Sequence, residues 1–353
     1  MIKTLDLNEL KPLLLNGVKI IDVRAPIEYS QGALPNSVNL PILDDDERAQ
    51  VGSCFKKSGQ EKAIELGHRI VSGENKDVKI ANWMAFINEN PHAILTCFRG
   101  GLRSQLAQQF LADKNIDIKR IQRGYKEIRQ YFIDEINSYA SRQFPRVLTG
   151  NTGSGKTTIL KQSGQFYPVV DLEDLAKHRG SAFGSMKESQ PAQASFENLL
   201  GSEILKRSQT NPNRRILFED ESRLIGRIHL PELFFERLRA SPVIKMNVTL
   251  ERRIENIFTD YIYPEEAIFE KYVGAVTRIT KKLGGLRSQE LLSDLAFSRK
   301  QFVEEGLLVS NRVWIEKLLV WYYDPMYTFS LTQRNPKIEF QGSETEVIAF
   351  LKD

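Results

Sequence analysis

The sequence has little cysteine and no long apolar run. Cys54 and Cys97 are the two cysteines among 353 residues, so at most one disulfide could form, and a chain this long does not need one to be stable. We find no eighteen-residue apolar stretch and no basic segment ahead of an apolar one at the N-terminus, so neither a membrane span nor a signal peptide is indicated. We therefore expect reduced thiols, a cytoplasmic location and no membrane partner.

The chain also lacks a strong charge of either sign, an internal repeat and a low-complexity tract. Its 49 basic and 45 acidic residues leave a net charge of +4, a balance that permits nucleic-acid binding without requiring it. With 41% hydrophobic and 27% charged residues, the composition is that of a globular protein. A length of 353 residues exceeds what one ordinary core organises and predicts two domains.

Short apolar runs alternate with helical patterns in the first 140 residues. We predict strands over residues 18–23, 37–40, 93–96 and 118–121, and helices over 60–70, 81–88, 104–113 and 125–141. This alternation is typical of an α/β domain with a largely parallel sheet. We assign this first domain to residues 1–140.

The helical pattern ends near residues 141–145, and a second α/β pattern follows. Strands are predicted over residues 146–149, 167–171, 215–218 and 243–248. Residues 251–323 have few β-branched runs and predict a mainly helical extension. We assign this second domain to residues 141–353.

Cys97 begins the segment Cys-Phe-Arg-Gly-Gly-Leu-Arg-Ser between a predicted strand and a predicted helix. Backbone N–H groups and the positive end of the helix would face its sulfur. Arg99 and Arg103 lie close by, and Gly100 and Gly101 let the loop curl, so a nucleophilic thiolate is favoured at neutral pH. A buried structural cysteine would not need two arginines and two glycines.

The first domain resembles rhodanese domains over roughly residues 5–140. The resemblance is carried, in order, by Asp22-Val23-Arg24, residues 32–41, the Cys97 loop and Arg123-Gly124-Tyr125. It implies that the loop cysteine accepts a chalcogen atom. Five residues separate Cys97 from Arg103 where sulfurtransferases of this family usually have four. The wider loop has room for a tetrahedral oxyanion, as in rhodanese-like phosphatases, and we interpret it as fitted to a phosphate-bearing donor.

The second domain opens with a phosphate-binding motif. Residues 150–157, Gly-Asn-Thr-Gly-Ser-Gly-Lys-Thr, match the P-loop pattern and lie between a predicted strand and a predicted helix. Gly150, Gly153 and Gly155 let backbone N–H groups face phosphates. Lys156 would neutralise the outer phosphates, and Thr157 could hold Mg²⁺. The domain is therefore P-loop NTPase-like.

Two further stretches combine charged and polar residues after predicted strands. Residues 171–184 and 219–227 supply our candidate substrate-binding side chains: His178, Arg179, Ser181, Glu219, Asp220 and Arg223. Ligands bind at the carboxyl ends of strands in such sheets. Two simpler interpretations stay open: a packed or capping His178, and a solvated turn at 219–221 in place of carboxylates that contact a metal through water.

With these two stretches, the fusion of rhodanese loop and P-loop resembles the tRNA 2-selenouridine synthase family over essentially the whole chain. The resemblance implies exchange of sulfur for selenium at C2 of the wobble uridine, with selenophosphate as donor and an S-geranyl intermediate made from geranyl diphosphate. It implies that Cys97 carries selenium as a selenylsulfide while phosphate leaves, and that the P-loop stabilises the departing pyrophosphate. The expected partners are tRNA and an enzyme that supplies selenophosphate, with no tightly bound cofactor.

The helical extension carries our candidates for tRNA contact. Exposed basic residues would bind phosphates and aromatic ones would stack on a splayed base; the candidates are Lys271, Arg278, Lys281, Lys282, Arg287 and the run Trp321-Tyr322-Tyr323. The alternative is that the lysines are merely solvated and that Trp314, Trp321 and Tyr322 pack a core. Cys54 lacks a strand-to-helix setting and is predicted to be non-catalytic.

Two other functions fit parts of the sequence. A P-loop kinase or ATPase with a regulatory rhodanese module would turn over nucleotide without tRNA, and Cys97 would be dispensable. A cysteine phosphatase would release phosphate from a phosphoester through Cys97.

Overall fold

The computed structural model describes residues 3–181, 183–184 and 188–353. The first part of the chain forms β1 (Thr4–Leu5), α1 (Leu7–Leu15), β2 (Ile20–Asp22), α2 (Pro26–Ser30), β3 (Ser37–Asn39), α3 (Asp45–Ile70), α4 (Gly73–Glu89), β4 (Ile94–Thr96), α5 (Leu102–Ala112), β5 (Lys119–Ile121) and α6 (Gly124–Arg142). There follow β6 (Arg146–Thr149), α7 (Lys156–Ser163), β7 (Val169–Val170), α8 (Leu172–Ala176), α9 (Gln193–Thr210), β8 (Leu217–Glu219), β9 (Leu224–Ile225), β10 (Ile228–His229), α10 (Glu232–Ala240) and β11 (Val243–Met246). The last part forms α11 (Leu250–Tyr261), α12 (Ile268–Leu283), α13 (Gly285–Glu305), α14 (Asn311–Leu318), a π-helical turn (Leu319–Tyr323), α15 (Asp324–Arg334), β12 (Ile338–Gly342) and α16 (Glu344–Lys352).

The chain folds as two compact units. Unit 1 comprises Met1–Ile136 and Pro191–Lys206, and unit 2 comprises Asn137–Gln190 and Arg207–Asp353. Residues 191–206 belong to unit 1, although the sequence pattern had assigned all of residues 141–353 to the second domain. Among the described residues, no helix is both long enough and apolar enough to cross a membrane.

Unit 1 contains a five-stranded parallel sheet in the order β1-β5-β4-β2-β3. Strands β2 and β4 are buried along their whole length, as expected for a parallel sheet covered on both faces. The predicted rhodanese-like α/β fold is confirmed. Because β4 lies in the middle of the sheet and ends at Thr96, Cys97 leaves the sheet at the carboxyl end of its central strand, where ligands of such folds bind.

Helix α3 is longer than the sequence pattern predicted. It begins at a capping box, in which Asp44 Oδ1 accepts the N–H of Glu47 at 2.7 Å and Glu47 Oε2 accepts the N–H of Asp44 at 2.8 Å. Gly59, with φ 84°, interrupts it, so the predicted helix over residues 60–70 is its second half. The first half was missed because it has few apolar positions.

Unit 2 contains a second five-stranded parallel sheet, in the order β12-β11-β6-β8-β7. Its central strand β6 has the bounds predicted from the sequence, and the P-loop follows it directly. The P-loop-like α/β fold is thus confirmed. The order also places the carboxyl ends of β8 and β7 beside the P-loop, and these ends carry the acidic residues described below.

The helical extension has its own core. Trp314 is 2% exposed and Tyr322 is 8% exposed, and Trp321 packs partly buried against the same cluster. The core-packing interpretation of these aromatic residues is therefore confirmed. The predicted basic residues lie exposed on α12 and on the start of α13: Lys271, Arg278, Lys281, Lys282 and Arg287.

Candidate active sites

The Cys97 loop is shaped as an anion cradle. Cys97 is 2% exposed, and its thiol donates to Ser104 Oγ at 3.2 Å, whose hydroxyl donates to the carbonyl of Gly101 at 3.1 Å. No acceptor among the described residues takes the backbone N–H groups of residues 98–104. These donors lie in the loop that follows Cys97 and in the first turn of α5, where the helix dipole favours negative charge. The arrangement suits a thiolate and a tetrahedral anion beside it.

The two predicted arginines of the loop behave differently. Arg103 forms a two-pronged ion pair with Glu28, with Nη2 donating to Oε1 at 3.1 Å. Burial alone would lower the pKa of Arg103, but the bonds to Glu28 and the nearby Cys97 raise it above its usual value. Arg99 is exposed and lies 5.8 Å above the ring of Phe98. Arg103 is thus a fixed positive charge beside the sulfur, and Arg99 is free to reach a ligand.

Residues of β5 and of the first turn of α6 hold the Cys97 loop by hydrogen bonds to its carbonyl groups. Tyr125 N–H donates to the carbonyl of Cys97 at 2.8 Å, and Lys126 N–H donates to the carbonyl of Phe98 at 3.1 Å. Arg120 Nη1 donates to the carbonyl of Gly100 at 2.7 Å. These loop carbonyls are thus held by protein donors, whereas the loop N–H groups have no described acceptor and stay available to a ligand. Arg120 was not recognised from the sequence, since a lone arginine in a strand gives no signal.

Gly100 is required by this geometry. It has φ 64°, and a methyl group there would overlap the carbonyl oxygen of Gln122, whereas a methyl group on Gly101 would meet nothing within 4 Å. We expect Gly100→Ala to destabilise the protein by about 1–3 kcal/mol and to abolish loop function, because both the backbone angle and the space exclude a side chain. Gly101→Ala is the matched control. Thermal unfolding of the two variants checks this, and equal melting temperatures would contradict it.

A buried ion pair and a distant helix support the same loop. Arg24 pairs with Asp22 at 2.7 Å and lies 3.8 Å above the ring of Tyr125. Burial raises the pKa of Asp22 above its usual value, although Arg24 opposes the shift. Asn198 of α9 is fully buried in unit 1, donating to the carbonyl of Ala33 at 2.8 Å and reaching Tyr125 Oη at 3.5 Å. Asn198 therefore positions the loop indirectly, and no sequence motif indicated it.

The P-loop forms the second anion cradle. Gly153 and Gly155 have φ of 82° and 79°, and no described acceptor takes the N–H groups of these glycines, Lys156 or Thr157. Successive N–H groups in this conformation form a concave anion site. Lys156 Nζ donates to the carbonyl of Gly150 at 3.1 Å, so its positive charge lies at the P-loop.

Two residues far along the chain brace the P-loop. Arg253 Nε donates to the carbonyl of Thr152 at 2.8 Å, and its guanidinium pairs with Asp324 at 2.6 Å. Asp324 Oδ1 also accepts from Asn151 Nδ2 at 2.8 Å. Asp324 directly follows the π-helical turn, a rare local geometry that recurs at functional sites. Sequence reasoning missed both residues because they lie in helices outside any motif.

Four carboxyl groups meet beside Lys156 at the ends of β7 and β8. Asp171 hydrogen-bonds Glu219, and Glu173 hydrogen-bonds Glu221. Glu219 is 2% exposed, and its Oε1 accepts the N–H of Glu173 at 2.6 Å. Burial, then the surrounding negative charges, holds the pKa of Glu219 well above its usual value. The solvated-turn interpretation is therefore wrong for Glu219.

The pair Glu173 and Glu221 makes stability depend on pH. Burial raises the pKa of Glu173 to about 7 and that of Glu221 to about 8, while Lys156 opposes both shifts. The folded protein therefore keeps protons that the unfolded chain loses near pH 4.5. This contribution to stability is full below that pH and is lost as the pH rises through about 7–8, so the melting temperature should fall.

Unfolding scans between about pH 5 and pH 9 measure this fall. Glu221→Gln removes one titrating group and should flatten the curve, whereas Glu232→Gln, with its exposed side chain, should leave it unchanged. A wild-type melting temperature that rises across the range would contradict the assignment.

The predicted loop residues His178 and Arg179 have different surroundings near this carboxyl cluster. The backbone of Gly180 lies against the carboxylates of Glu173 and Glu221, which brings the 178–181 segment to the site. His178 Nδ1 is buried without a described partner, and burial lowers the pKa of its ring. Arg179 Nη1 donates to the carbonyl of Asp260 at 2.9 Å.

The remaining candidates are placed as follows. Ser181 accepts the N–H of Phe183 on its Oγ at 3.2 Å, and Ala182 lies outside the described residues. Asp220 is not solvated, since it accepts from Thr149 Oγ1 at 2.6 Å and pairs with Arg334. Arg223 is half exposed and pairs with Glu232 at 3.2 Å.

The carboxylates present do not offer a ready Mg²⁺ site. In the described ranges, no group of three or more His, Cys, Asp or Glu side chains could hold a metal ion. Asp220 is committed to Arg334, and burial raises the pKa values of Glu219 and Glu221, which favours their neutral forms. Thr157 stays a predicted contact, and no step below depends on a metal.

Comparison with known proteins covers both units. The family model of the tRNA 2-selenouridine synthase AAA domain matches residues 143–353, and that of the rhodanese-like domain matches residues 6–131.

Curated relatives match nearly end to end. The tRNA 2-selenouridine synthase of Nitrosomonas europaea is 42% identical over 375 residues, covering 98% of this chain and 97% of that protein. The synthase of Bdellovibrio bacteriovorus is 41% identical over 374 residues, covering 99% and 98%. That of Shewanella denitrificans is 40% identical over 360 residues, covering 98% and 97%. Since both units match in the expected order, this chain belongs to the tRNA 2-selenouridine synthase family.

Proposed function

We propose that this protein is a tRNA-modifying transferase that replaces sulfur by selenium at C2 of the wobble uridine. The observation that carries the proposal is the pairing of two anion cradles in one chain, of which only the Cys97 loop contains a nucleophile. Such a pairing suits two different phosphate-bearing donors. Wobble nucleosides from cells with and without this gene, compared by mass spectrometry, test the proposal: 2-selenouridine should be lost with the gene.

The P-loop is proposed to serve a prenylation step. The C2 sulfur of 2-thiouridine attacks C1 of geranyl diphosphate, the C–O bond breaks, diphosphate leaves and the N3 proton is lost. The N–H groups at Gly153, Gly155 and Lys156, together with the Lys156 ammonium, would stabilise the charge that develops on the leaving group. This step needs no nucleotide hydrolysis, which explains how a P-loop can serve a transferase.

The Cys97 loop is proposed to serve the exchange step, with selenophosphate as donor. Attack of Cys97 Sγ on selenium forms a selenylsulfide and breaks the Se–P bond, and the bonding pair stays with phosphorus. The leaving group is therefore phosphite, in place of the phosphate expected from the sequence, because the selenium is oxidised by two electrons and the phosphorus is reduced by two. The selenylsulfide adds at C2, geranylthiolate leaves, and a second thiol releases the selenated base by forming a disulfide with Cys97. The loop N–H groups and Arg103 would hold the phosphorus oxyanion.

Attack on phosphorus is the redox-neutral variant of the same step. It would leave phosphate on Cys97, release hydrogen selenide as the nucleophile for C2, and regenerate the thiol by hydrolysis. Selenophosphate labelled separately on selenium and on phosphorus distinguishes the two routes. A selenium label on the Cys97 peptide indicates attack on selenium, and a phosphorus label indicates attack on phosphorus. Both routes require the same thiolate.

The exposed basic residues of α12 are proposed to bind the tRNA backbone. Lys281 and Lys282 lie exposed in its last turn. Replacing both by alanine should weaken binding to tRNAs of any sequence. It should also reduce the magnitude of the slope of log affinity against log salt concentration by about two. Lys114→Ala with Lys119→Ala, two exposed lysines of unit 1, is the control. An unchanged salt slope, measured by filter binding, would remove α12 from the interface.

Three further expectations, on the selenium donor, the location and the cofactor, are part of the same proposal. The reaction needs selenophosphate from a supplying enzyme and takes place in the cytoplasm, and it uses no tightly bound cofactor. A kinase or ATPase would instead hydrolyse nucleotide at the P-loop without tRNA, and a cysteine phosphatase would release phosphate from a phosphoester. Assays for these two products in the absence of tRNA separate the three functions.

A further inference from the structure

Unit 1 contains a large cavity that the proposed chemistry does not yet use. Helices α3 and α5 enclose about 800 Å³ between them, a volume within the range of roughly 300–1,000 Å³ typical of small-molecule sites. Its walls are mainly aliphatic and aromatic, including Val51, Ala63, Ile64, Leu106 and Phe110. A cavity of this size and polarity is built for an apolar group, because burying apolar surface is its main source of affinity.

The cavity reaches the Cys97 loop. Leu102 and Arg103, the residues that follow the loop glycines, line it, and Leu102 is an apolar side chain left 43% exposed. Cys97 belongs to the same apolar cluster as the wall residue Phe110. A molecule in the cavity would therefore extend from the α3–α5 wall to the edge of the anion cradle.

One rim of the cavity is polar and charged. Glu28 pairs there with both Arg103 and Arg48, the latter at 3.2 Å, and all three line the cavity. The lining is thus apolar over most of its wall, polar at Lys56, Gln60 and His68 of α3, and ionic beside the Cys97 loop. An amphipathic ligand, with an apolar tail on the wall and a polar head next to the Cys97 loop, matches this lining.

We propose that this cavity binds the isoprenoid chain of the S-prenylated wobble base and holds the base sulfur at the Cys97 loop for exchange. The inference rests on the proposed function, in which the C2–S bond breaks and the chain leaves with sulfur as geranylthiolate, taking up a proton. The cavity selects the prenylated base over 2-thiouridine, because the unmodified base has no group to fill it. Exchange therefore follows prenylation as a consequence of binding.

Chain-length selectivity tests the proposal. RNA fragments with 2-thiouridine S-alkylated by dimethylallyl, geranyl or farnesyl groups are offered with selenophosphate. Since each buried methylene contributes roughly fourfold in affinity, geranyl should be preferred over dimethylallyl by at least ~tenfold. Ala63→Trp, which fills the cavity from α3, should remove this preference, so that the geranyl and dimethylallyl substrates are converted at similar rates. Glu61→Trp, exposed on the same helix, is the matched control and should behave as wild type.

A binding readout keeps the test independent of turnover. Calorimetry with S-geranyl- and S-methyl-2-thiouridine nucleosides should show tighter binding of the geranyl compound to wild type and Glu61→Trp only. Leu106→Trp, from the opposite wall, replaces Ala63→Trp if that variant does not fold. Equal loss of all chain lengths in the filled variants, or equal binding of both nucleosides to wild type, would overturn the cavity assignment. Failure of every S-alkylated RNA to yield selenouridine despite selective binding would instead reject the proposed function alone.

Discussion

Cys97→Ala is expected to abolish 2-selenouridine formation, by on the order of 10³-fold or more, because no other group in the loop can act as the nucleophile toward the selenium donor. The N–H cradle stays intact in this variant, so tRNA binding should not change. With 2-thiouridine RNA and geranyl diphosphate, the variant should accumulate the S-geranylated nucleoside, since the P-loop is untouched. Mass spectrometry of a nucleoside digest measures both outcomes.

Cys54→Ala is the matched control for this experiment. Cys54 lies within α3 and is partly exposed, outside the strand-to-helix loop that holds Cys97. Its replacement should leave selenation unchanged, and label from selenophosphate should not be found on its peptide. Normal selenation by the Cys97 variant would end the assignment of Cys97 as the nucleophile.

Lys156→Ala is expected to slow prenylation by about 10²–10³-fold, equivalent to about 2–4 kcal/mol at the transition state. The physical reason is that Lys156 lies over the P-loop, with Nζ 3.1 Å from the carbonyl of Gly150, where the departing diphosphate would develop charge. This variant should leave 2-thiouridine largely unmodified. A pre-geranylated RNA supplied with selenophosphate should still be converted, because the Cys97 loop is unaltered.

Lys161→Ala, exposed on the same helix α7, controls for a general loss of positive charge. It should prenylate at the wild-type rate. If Lys156→Ala also prenylates normally but loses an ATP-dependent activity, the P-loop is a nucleotide site and the kinase or ATPase interpretation gains support.

Local features of the fold could be predicted from the sequence. Strand β6 was predicted with its observed bounds because three apolar or β-branched residues, Val147, Leu148 and Thr149, directly precede a glycine loop. The helical region from residue 251 was predicted because it has few β-branched runs. Strand β12 (Ile338–Gly342) was not predicted, because an edge strand with alternating polar residues has too weak a pattern.

Features that depend on topology could not be predicted. Glu173 and Glu221 meet because β7 and β8 are neighbours in the sheet. The sequence of neither segment indicates this strand order. Asn198 reaches Tyr125, whose N–H holds the carbonyl of Cys97, from a helix position 73 residues further along the chain. The two proposed catalytic loops were recognisable because each depends on a contiguous run of glycines and charged residues, whereas the residues that support them come from distant positions.

The central claim is that one chain performs prenylation and selenium exchange at two separate loops. The most direct measurement is a nucleoside digest of 2-thiouridine RNA incubated with the purified wild-type protein and a small-molecule thiol, with each donor omitted in turn. The account predicts 2-selenouridine only when geranyl diphosphate and selenophosphate are both present, and S-geranyl-2-thiouridine when selenophosphate is left out. Selenouridine formed without geranyl diphosphate, or neither nucleoside formed with both donors present, would contradict it.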